Sequence, residues 1–224
     1  MPTPPTTLDR ALQSKGSSSD AIYSMVARVL DERNIRAETV VDVGCGGGAL
    51  WPHISNRFKR YVGVDIEKYP GFPVDADFVA CNLETYAIPL PSASADVVTA
   101  VETIEHLENP RAFFRELKRL LKPGGWLIVT TPNQLSLLSK LTLLFKNQFN
   151  AFQDTNYPAH ITALLEVDLK RMAHEVGVQS FTMDYTRSSR IPGTAAVWPS
   201  WTASILPRAF SDNLLLLGRI EPRA

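Results

Sequence analysis

The sequence predicts an α/β fold, in which a doubly wound, mostly parallel sheet is covered by helices on both faces. Three observations lead to this prediction. Short β-branched runs alternate along the chain with stretches of helical periodicity. The runs are apolar throughout rather than at every second position, which is typical of strands buried on both faces. The first run, Thr39–Gly44, leads directly into a glycine-rich turn, as at the ligand-binding edge of such sheets.

Seven segments are predicted to be strands because they are short, apolar and bounded by loops. They are Thr39–Gly44, Arg60–Ile66, Asp77–Asn82, Asp96–Val101, Trp126–Pro132, Val178–Tyr185 and Asn213–Ile220. Apolar residues at helical spacing predict helices at residues 20–30, 49–58, 111–121, 134–149 and 168–175. Asp20 can cap the first helix, and the Lys-Pro-Gly-Gly sequence at 122–125 ends the third.

The composition is that of one globular domain. Of its 224 residues, 45% are hydrophobic, and 23 basic side chains balance 23 acidic ones. This balance argues against long nucleic acid as a partner. With two cysteines and no secretion signal, we expect no disulfide framework and a cytoplasmic location. We expect residues 1–19, rich in Pro, Thr and Ser, to be a flexible leader, or a lid that orders on ligand binding, ahead of a single domain at 20–224.

The glycine-rich turn predicts a nucleotide-like ligand. Gly44, Gly46 and Gly48 let the backbone approach a ligand, and we expect the following helix to offer free N–H groups. The spacing also fits a dinucleotide fingerprint, and Asp65 could hold a ribose in either case. Asp42 favours a cationic ligand, because a diphosphate would be repelled by a carboxylate while an ammonium or sulfonium would be attracted.

These residues resemble the motifs of class I S-adenosylmethionine-dependent methyltransferases. The pattern Asp42-x-Gly44-x-Gly46-x-Gly48 is similar to their first motif, and Gly63-Val64-Asp65 to their second. IEHL at 104–107, LKPGG at 121–125 and TTPN at 130–133 continue the resemblance. It implies a Rossmann-like, seven-stranded sheet with an antiparallel last strand. It also implies a cofactor site formed by Asp42, Gly44, Cys45, Gly46, Gly48, Asp65, Ile66, Asn82, Leu83 and Val101.

A second group of polar residues is expected at the acceptor end of the site. If residues 102–106 are helical, Glu102, Glu105 and His106 share one face. With His160 they would form a site for Mg²⁺, Mn²⁺, Fe²⁺ or Zn²⁺. This Glu-x-x-Glu-His segment resembles that of small-RNA 3′-terminal 2′-O-methyltransferases and of ubiquinone-pathway O-methyltransferases. Two alternatives stay open: His106 as a metal-free general base, and a purely structural role for the group.

We therefore predict methylation of a small-molecule hydroxyl, with Glu105, His106 and His160 as catalytic residues. The alternatives are a metal-dependent RNA 2′-O-methyltransferase and a cofactor-binding regulatory protein without turnover. In the family architecture, insertions at 134–165 and 187–211 would cover the acceptor pocket. Trp198 and Trp201 in the second insertion would line an apolar substrate site or a peripheral membrane contact, or would instead pack in the core or in a homodimer contact.

Overall fold

The computed structural model describes residues 6–14, 16–85, 87–178 and 180–221. These residues form one seven-stranded sheet in the order β3-β2-β1-β4-β5-β7-β6. The strands are β1 Ala37–Val43, β2 Phe58–Asp65, β3 Asp77–Ala80, β4 Ala95–Ala100, β5 Leu121–Pro132, β6 Ser180–Tyr185 and β7 Asn213–Arg219. Strands β1 to β5 pair in parallel, whereas β7 pairs antiparallel with both β5 and β6. The predicted fold class and its antiparallel last strand are confirmed.

Seven α-helices are present in the described part of the chain. They are α1 Thr7–Ser14, α2 Asp20–Glu32, α3 Trp51–Ile54, α4 Pro110–Leu120, α5 Leu137–Lys146, α6 Glu166–Glu175 and α7 Ser200–Ile205. Short 3-10 turns occupy Ser55–Arg57, Leu83–Thr85, Ile104–His106, Asn150–Phe152 and Asp154–Asn156. None of the helices in the described ranges is long and apolar enough to cross a bilayer.

Several predicted elements differ in extent, among them the fifth strand, which begins at Leu121 rather than at Trp126 and includes the Lys-Pro-Gly-Gly sequence. The helix expected at 49–58 is only the four residues of α3 followed by a 3-10 turn, because β2 already begins at Phe58. Residues 7–14 of the expected flexible leader instead form α1, while residues 1–5 and 15 lie outside the described part. Gln179 of the predicted sixth strand and residues 222–224 of the predicted domain also lie outside it.

The five inner strands β1, β2, β4, β5 and β7 are largely apolar because each supplies side chains to two cores. In β7, Leu214 and Leu216 pack in one core, and Leu215 and Leu217 pack in the other. The first core contains buried side chains of α4 and α6, and the second contains those of α2. Such two-sided burial produces a continuous apolar run rather than an alternating one.

The sheet topology places the functional segments at one edge. The glycine turn follows the carboxyl end of β1, Asp65 ends β2, and the turn Ile104–His106 follows β4. Because β1 lies between β2 and β4 in parallel register, the three ends meet side by side. Ligands of open α/β sheets bind at this edge.

Candidate active site

A cavity of about 270 Å³ opens at the carboxyl ends of β1, β2 and β4. It brings together most of the site residues predicted from the sequence. Its lining includes Asp42, Gly44, Cys45, Asp65, Ile66, Leu83 and Val101 from the expected cofactor site, and Glu102, Glu105, His106 and His160 from the expected acceptor site. The two predicted groups therefore face one cavity.

The glycine turn does not present free N–H groups. The N–H of Gly44 donates to the carbonyl of Val64 at 2.7 Å, and that of Gly46 donates to Oδ2 of Asp65 at 2.8 Å. Gly47 and Gly48 also donate to backbone carbonyls. The N–H groups of the turn itself are therefore used by turn closure, by Asp65 and by the carbonyl of Gly16, while the free N–H groups expected from the following helix stay a prediction. A phosphate-binding loop needs such donors to face its ligand.

Close packing explains all three predicted glycines, and a Cβ on Gly48 would lie 2.5 Å from Cδ of Pro73. A Cβ on Gly44 would lie 2.2 Å from Oγ1 of Thr103, and a Cβ on Gly46 would lie 1.9 Å from the carbonyl oxygen of Gly16. Both glycines also have positive φ angles, of 79° and 50°. The turn is thereby locked between the segment after β4 and the segment before α2.

Asp42 lies beneath the turn and is 2% exposed. Its carboxylate accepts hydrogen bonds from the hydroxyls of Tyr61 at 2.6 Å and Thr99 at 2.7 Å. Burial raises the pKa of Asp42 to about 6, although the two hydroxyl donors oppose this shift. Burial likewise raises the pKa of Asp65, whose oxygens accept from the N–H groups of Gly46 and Ile66.

At the ends of β1 and β2 the cavity thus contains the buried carboxylate of Asp42 and the half-buried carboxylate of Asp65, and neither forms a salt bridge within the described part of the chain. Such a lining suits a ligand that carries positive charge. The ammonium and sulfonium of S-adenosylmethionine match Asp42, and its ribose diol can donate to the remaining lone pairs of Asp65. The residues present therefore fit this cofactor.

Three predicted cofactor residues lie outside the cavity lining: Gly46, Gly48 and Asn82. Asn82 instead stabilises the turn that follows it, because its Oδ1 accepts the N–H of Glu84 at 3.0 Å. This cap places Leu83 in the lining beside the cavity. Asn82 acts on the site through the backbone, which the resemblance alone did not indicate.

At the acceptor end, Glu105, His106 and His160 each offer a ligand atom, and these atoms lie within 4.8 Å of one another. Glu105 is fully buried; its Oε2 accepts from Oγ1 of Thr131 at 3.2 Å. Its Oε1 has no hydrogen-bond partner among the residues described. A buried carboxylate oxygen without a partner is costly, so this atom is a natural place for a ligand or a cation.

The two imidazoles are oriented by backbone carbonyls. Nδ1 of His106 lies 2.7 Å from the oxygen of Ala159, and Nδ1 of His160 lies 2.7 Å from the oxygen of Ala151. The proton therefore resides on Nδ1, and Nε2 carries the lone pair. The rings meet edge to face with centroids 4.9 Å apart. This orientation of ring N–H groups is the arrangement found around histidines that bind metals.

Burial favours the neutral form of both imidazoles. It lowers the pKa of His160 to about 4, with the neighbouring His106 adding to the effect, and it also lowers the pKa of His106. Burial raises the pKa of Glu105. The uncharged imidazoles and the desolvated carboxylate can accept a proton or ligate a cation.

Glu102 departs from the expected arrangement. Residues 102–106 do not form a continuous helix: Glu102 has a φ of 49° and precedes the short turn Ile104–His106. Its carboxylate accepts from Oγ1 of Thr130 at 2.8 Å and from Nδ2 of Asn213 at 2.7 Å. Glu102 therefore connects β5 to β7 through hydrogen bonds, and it lies outside the group of three candidate ligands.

Several lining residues were not predicted from the sequence. Most of them belong to α1, to the segment before α2, to the first turn of α2 and to the loop after β2: Thr7, Arg10, Ala11, Ser14, Gly16, Ser17, Ser18, Tyr23 and Tyr69. No local motif marks them, because they reach the cavity through contacts distant in sequence. The glycine at position 16, in a segment of small residues, was the one available hint of a close backbone approach.

A family model described as a methyltransferase domain matches residues 18–180 of the chain. The ubiquinone biosynthesis O-methyltransferase of Chromobacterium violaceum is 35% identical over 112 residues, which are 45% of this chain and 47% of that protein. The protein of the same name from Pseudomonas paraeruginosa is 34% identical over 115 residues, 47% of this chain and 49% of that protein. The chain spans about half the length of these curated relatives.

Solved structures agree with the fold. A SAM-dependent methyltransferase from Archaeoglobus fulgidus has a TM-score of 0.61 and 16% identity, and the match covers 92% of this chain and 96% of that one. A SAM-dependent methyltransferase from Aquifex aeolicus has a TM-score of 0.56 and 17% identity, covering 95% and 98%. At these identities the likeness concerns the fold alone.

Proposed function

This chain belongs to the class I S-adenosylmethionine-dependent methyltransferases, and from that premise we propose that it methylates a hydroxyl group of a small molecule. The cofactor supplies an electrophilic methyl group on its sulfonium. The protein must therefore hold a nucleophile in line and accept its proton. The relatives named as O-methyltransferases support a hydroxyl as the nucleophile.

One observation carries the proposal: the unpartnered Oε1 of Glu105 lies beside two neutral imidazoles in the cavity that also contains Asp42 and Asp65. A hydroxyl placed there can donate its hydrogen to this oxygen or to the lone pair of His106. His160 lines the same end of the cavity. These are the elements of general-base assistance to a hydroxyl.

We further propose that Glu105, His106 and His160 can hold a divalent cation. One carboxylate and two imidazoles make a ligand set suited to Fe²⁺, Zn²⁺ or Mn²⁺, and the carbonyls of Ala159 and Ala151 orient the rings. A cation at this position would lower the pKa of a bound hydroxyl. A vicinal diol or catechol would then be favoured, because two adjacent oxygens can occupy two coordination positions.

The experiment is a transfer assay with trideuteromethyl-labelled S-adenosylmethionine and matched acceptors: catechols, vicinal diols, their singly hydroxylated analogues, and amines of similar shape. We expect mass-shifted products from the hydroxylated compounds, and their loss in His106→Gln. His174→Gln is the matched control, since His174 is exposed on α6. Transfer to amines with no transfer to hydroxyls would contradict the proposal.

Two further aspects of the function are proposals of the same kind. Both cysteines are free and buried, which supports a reducing, cytoplasmic location. Peripheral membrane contact is supported by large apolar side chains exposed on α5 and α7, with Leu144 74%, Phe145 80%, Trp201 64% and Ile205 67% exposed.

Charge around these helices favours an anionic membrane surface as their partner. Residues 134–153 and 187–211 contain basic side chains and no acidic ones, although the whole chain is neutral. Within the described residues, Lys140, Lys146 and Arg190 form no ion pair with a carboxylate. Exposed apolar groups flanked by such cations bind the interface of anionic bilayers.

A further inference from the structure

A short segment before α2 forms a roof over the cavity; we define this roof segment as residues 6–14 and 16–18. The roof segment contributes Thr7, Arg10, Ala11, Ser14 and Gly16 to the cavity lining. The helix α1 within it has only eight residues. An isolated helix of this length is unstable in water, so the position of the roof depends on its attachments to the rest of the domain.

Arg10 makes the charged attachment. The residue is 8% exposed, and its guanidinium lies 2.8 Å from Oε1 of Glu84 and 3.3 Å from Oε1 of Glu108. Glu84 lies in the turn after β3, next to the cavity residue Leu83, and Glu108 follows the turn Ile104–His106. Arg10 therefore ties the roof segment to both the cofactor side and the acceptor side of the cavity.

Two backbone contacts attach the roof segment to the cofactor-binding elements. The hydroxyl of Tyr69, in the loop after β2, donates to the carbonyl of Ala11 at 2.9 Å. The N–H of Gly47 in the glycine turn donates to the carbonyl of Gly16 at 3.1 Å. Gly16 has a φ of 57°, and a Cβ there would lie 3.0 Å from Cα of Gly46, so glycine permits this approach.

One more contact reaches the acceptor side. Nε2 of Gln13 donates to the carbonyl of Tyr157 at 3.1 Å, in the loop that leads to His160. The roof segment is thus held by a few polar contacts to five separate segments of the chain. Large buried apolar contacts, which would make it permanent, are not found among its described side chains. Segments held in this way are the ones that open locally.

We propose that the roof segment acts as a gate, which opens and closes over the cavity, and that the ion pairs of Arg10 hold it closed. Cofactor exchange then requires the Arg10 contacts with Glu84 and Glu108 to break. Since one segment covers both halves of the cavity, its opening exposes the cofactor and the acceptor positions together. Arg10 acts as a positioning residue through α1. The inference depends on the proposed function only where it concerns the acceptor half of the cavity.

The test compares Arg10→Met with Arg111→Met in the full chain. Arg111 is the matched control, because its guanidinium pairs with Glu175 at 3.1 Å on the surface, between α4 and α6. Tritiated S-adenosylhomocysteine is bound and then chased with excess unlabelled compound. We expect dissociation about tenfold faster in Arg10→Met, the size of one charge-assisted hydrogen bond, and an unchanged rate in Arg111→Met.

A measurement on the unmodified protein covers the case in which Arg10→Met fails to fold. Hydrogen exchange of the amides in residues 7–14 should slow when S-adenosylhomocysteine binds, whereas amides of α6 should not change. Equal dissociation rates in the two variants would overturn the proposal that the roof segment opens for cofactor exchange. The same conclusion would follow if the ligand did not change hydrogen exchange in residues 7–14. Both assays omit an acceptor, so failure of the hydroxyl proposal is a separate result.

Discussion

The hydroxyl of Tyr61 donates to the carboxylate of Asp42 at 2.6 Å, and both side chains are buried. The pair joins β2 to β1 directly beneath the glycine turn. Thr99 on β4 donates to the other oxygen of the same carboxylate at 2.7 Å. Three neighbouring strands are therefore connected at the base of the cofactor site by one acidic group.

The first prediction concerns the pH dependence of stability. The pKa of Asp42 is about 6 in the fold, against an ordinary value of 3.8, because burial disfavours the charged form. Between these values the folded chain keeps a proton that the unfolded chain has lost. The contribution of Asp42 to the free energy of unfolding is therefore fully present below about pH 4 and is lost as the pH rises through 6. The full change amounts to about 3 kcal/mol.

Urea unfolding of the natural protein and of Asp42→Asn at pH 4.5 and 6.5 measures this effect. Asparagine has the same shape and does not titrate, so the difference between the two proteins isolates the carboxyl group. We expect the natural protein to lose stability relative to Asp42→Asn as the pH rises. Parallel pH profiles would show that Asp42 ionises with an ordinary pKa.

The second prediction concerns cofactor affinity. Asp65→Asn removes a charged acceptor from the cavity and points an amide toward the N–H of Gly46, so we expect the Kd of S-adenosylhomocysteine to rise about 10- to 100-fold. Titration calorimetry measures the Kd. Asp77→Asn is the control, since Asp77 lies on the exposed side of β3 and pairs with Arg60 at 2.7 Å. An equal loss in both variants would contradict a specific role for Asp65.

The third prediction concerns the candidate metal site. We expect chelation of divalent ions, or His160→Ala, to lower kcat about 100-fold while the Kd of the cofactor stays unchanged. Readdition of single metals to the chelated protein should restore activity for the protein with His160 and not for the variant. His174→Ala serves as the control. Full activity after chelation and in His160→Ala would leave His106 as a metal-free base.

The fourth prediction concerns membrane contact. We expect the natural protein to sediment with vesicles containing phosphatidylglycerol and to stay in solution with pure phosphatidylcholine vesicles. Serine at both Leu144 and Phe145 should reduce the bound fraction several-fold, because two exposed apolar side chains are lost. Val74→Ser is the control, as Val74 is 95% exposed in the loop between β2 and β3. Equal binding of both vesicle types would contradict the proposed partner.

Local patterns in the sequence were sufficient to predict the fold and to select residues that the structure brings to one cavity. Continuous apolar strands alternating with helices imply two-sided burial, and this pattern correctly predicted the sheet. The motif around Asp42 and Gly44, together with Asp65, predicted a cofactor site at the carboxyl ends of β1 and β2, where the structure has a cavity lined by these three residues. These features depend on short spacings along one segment, which a sequence displays directly.

Only the tertiary structure decided how the polar groups are used. Glu102 and Glu105 are three residues apart, yet a positive φ at Glu102 sends its carboxylate to Thr130 and Asn213 and leaves Glu105 with the two histidines. The N–H groups of the glycine turn donate to backbone carbonyls and to Asp65. Arg10 reaches Glu84 across 74 residues. Such outcomes depend on backbone torsions and long-range contacts, which periodicity along the chain does not encode.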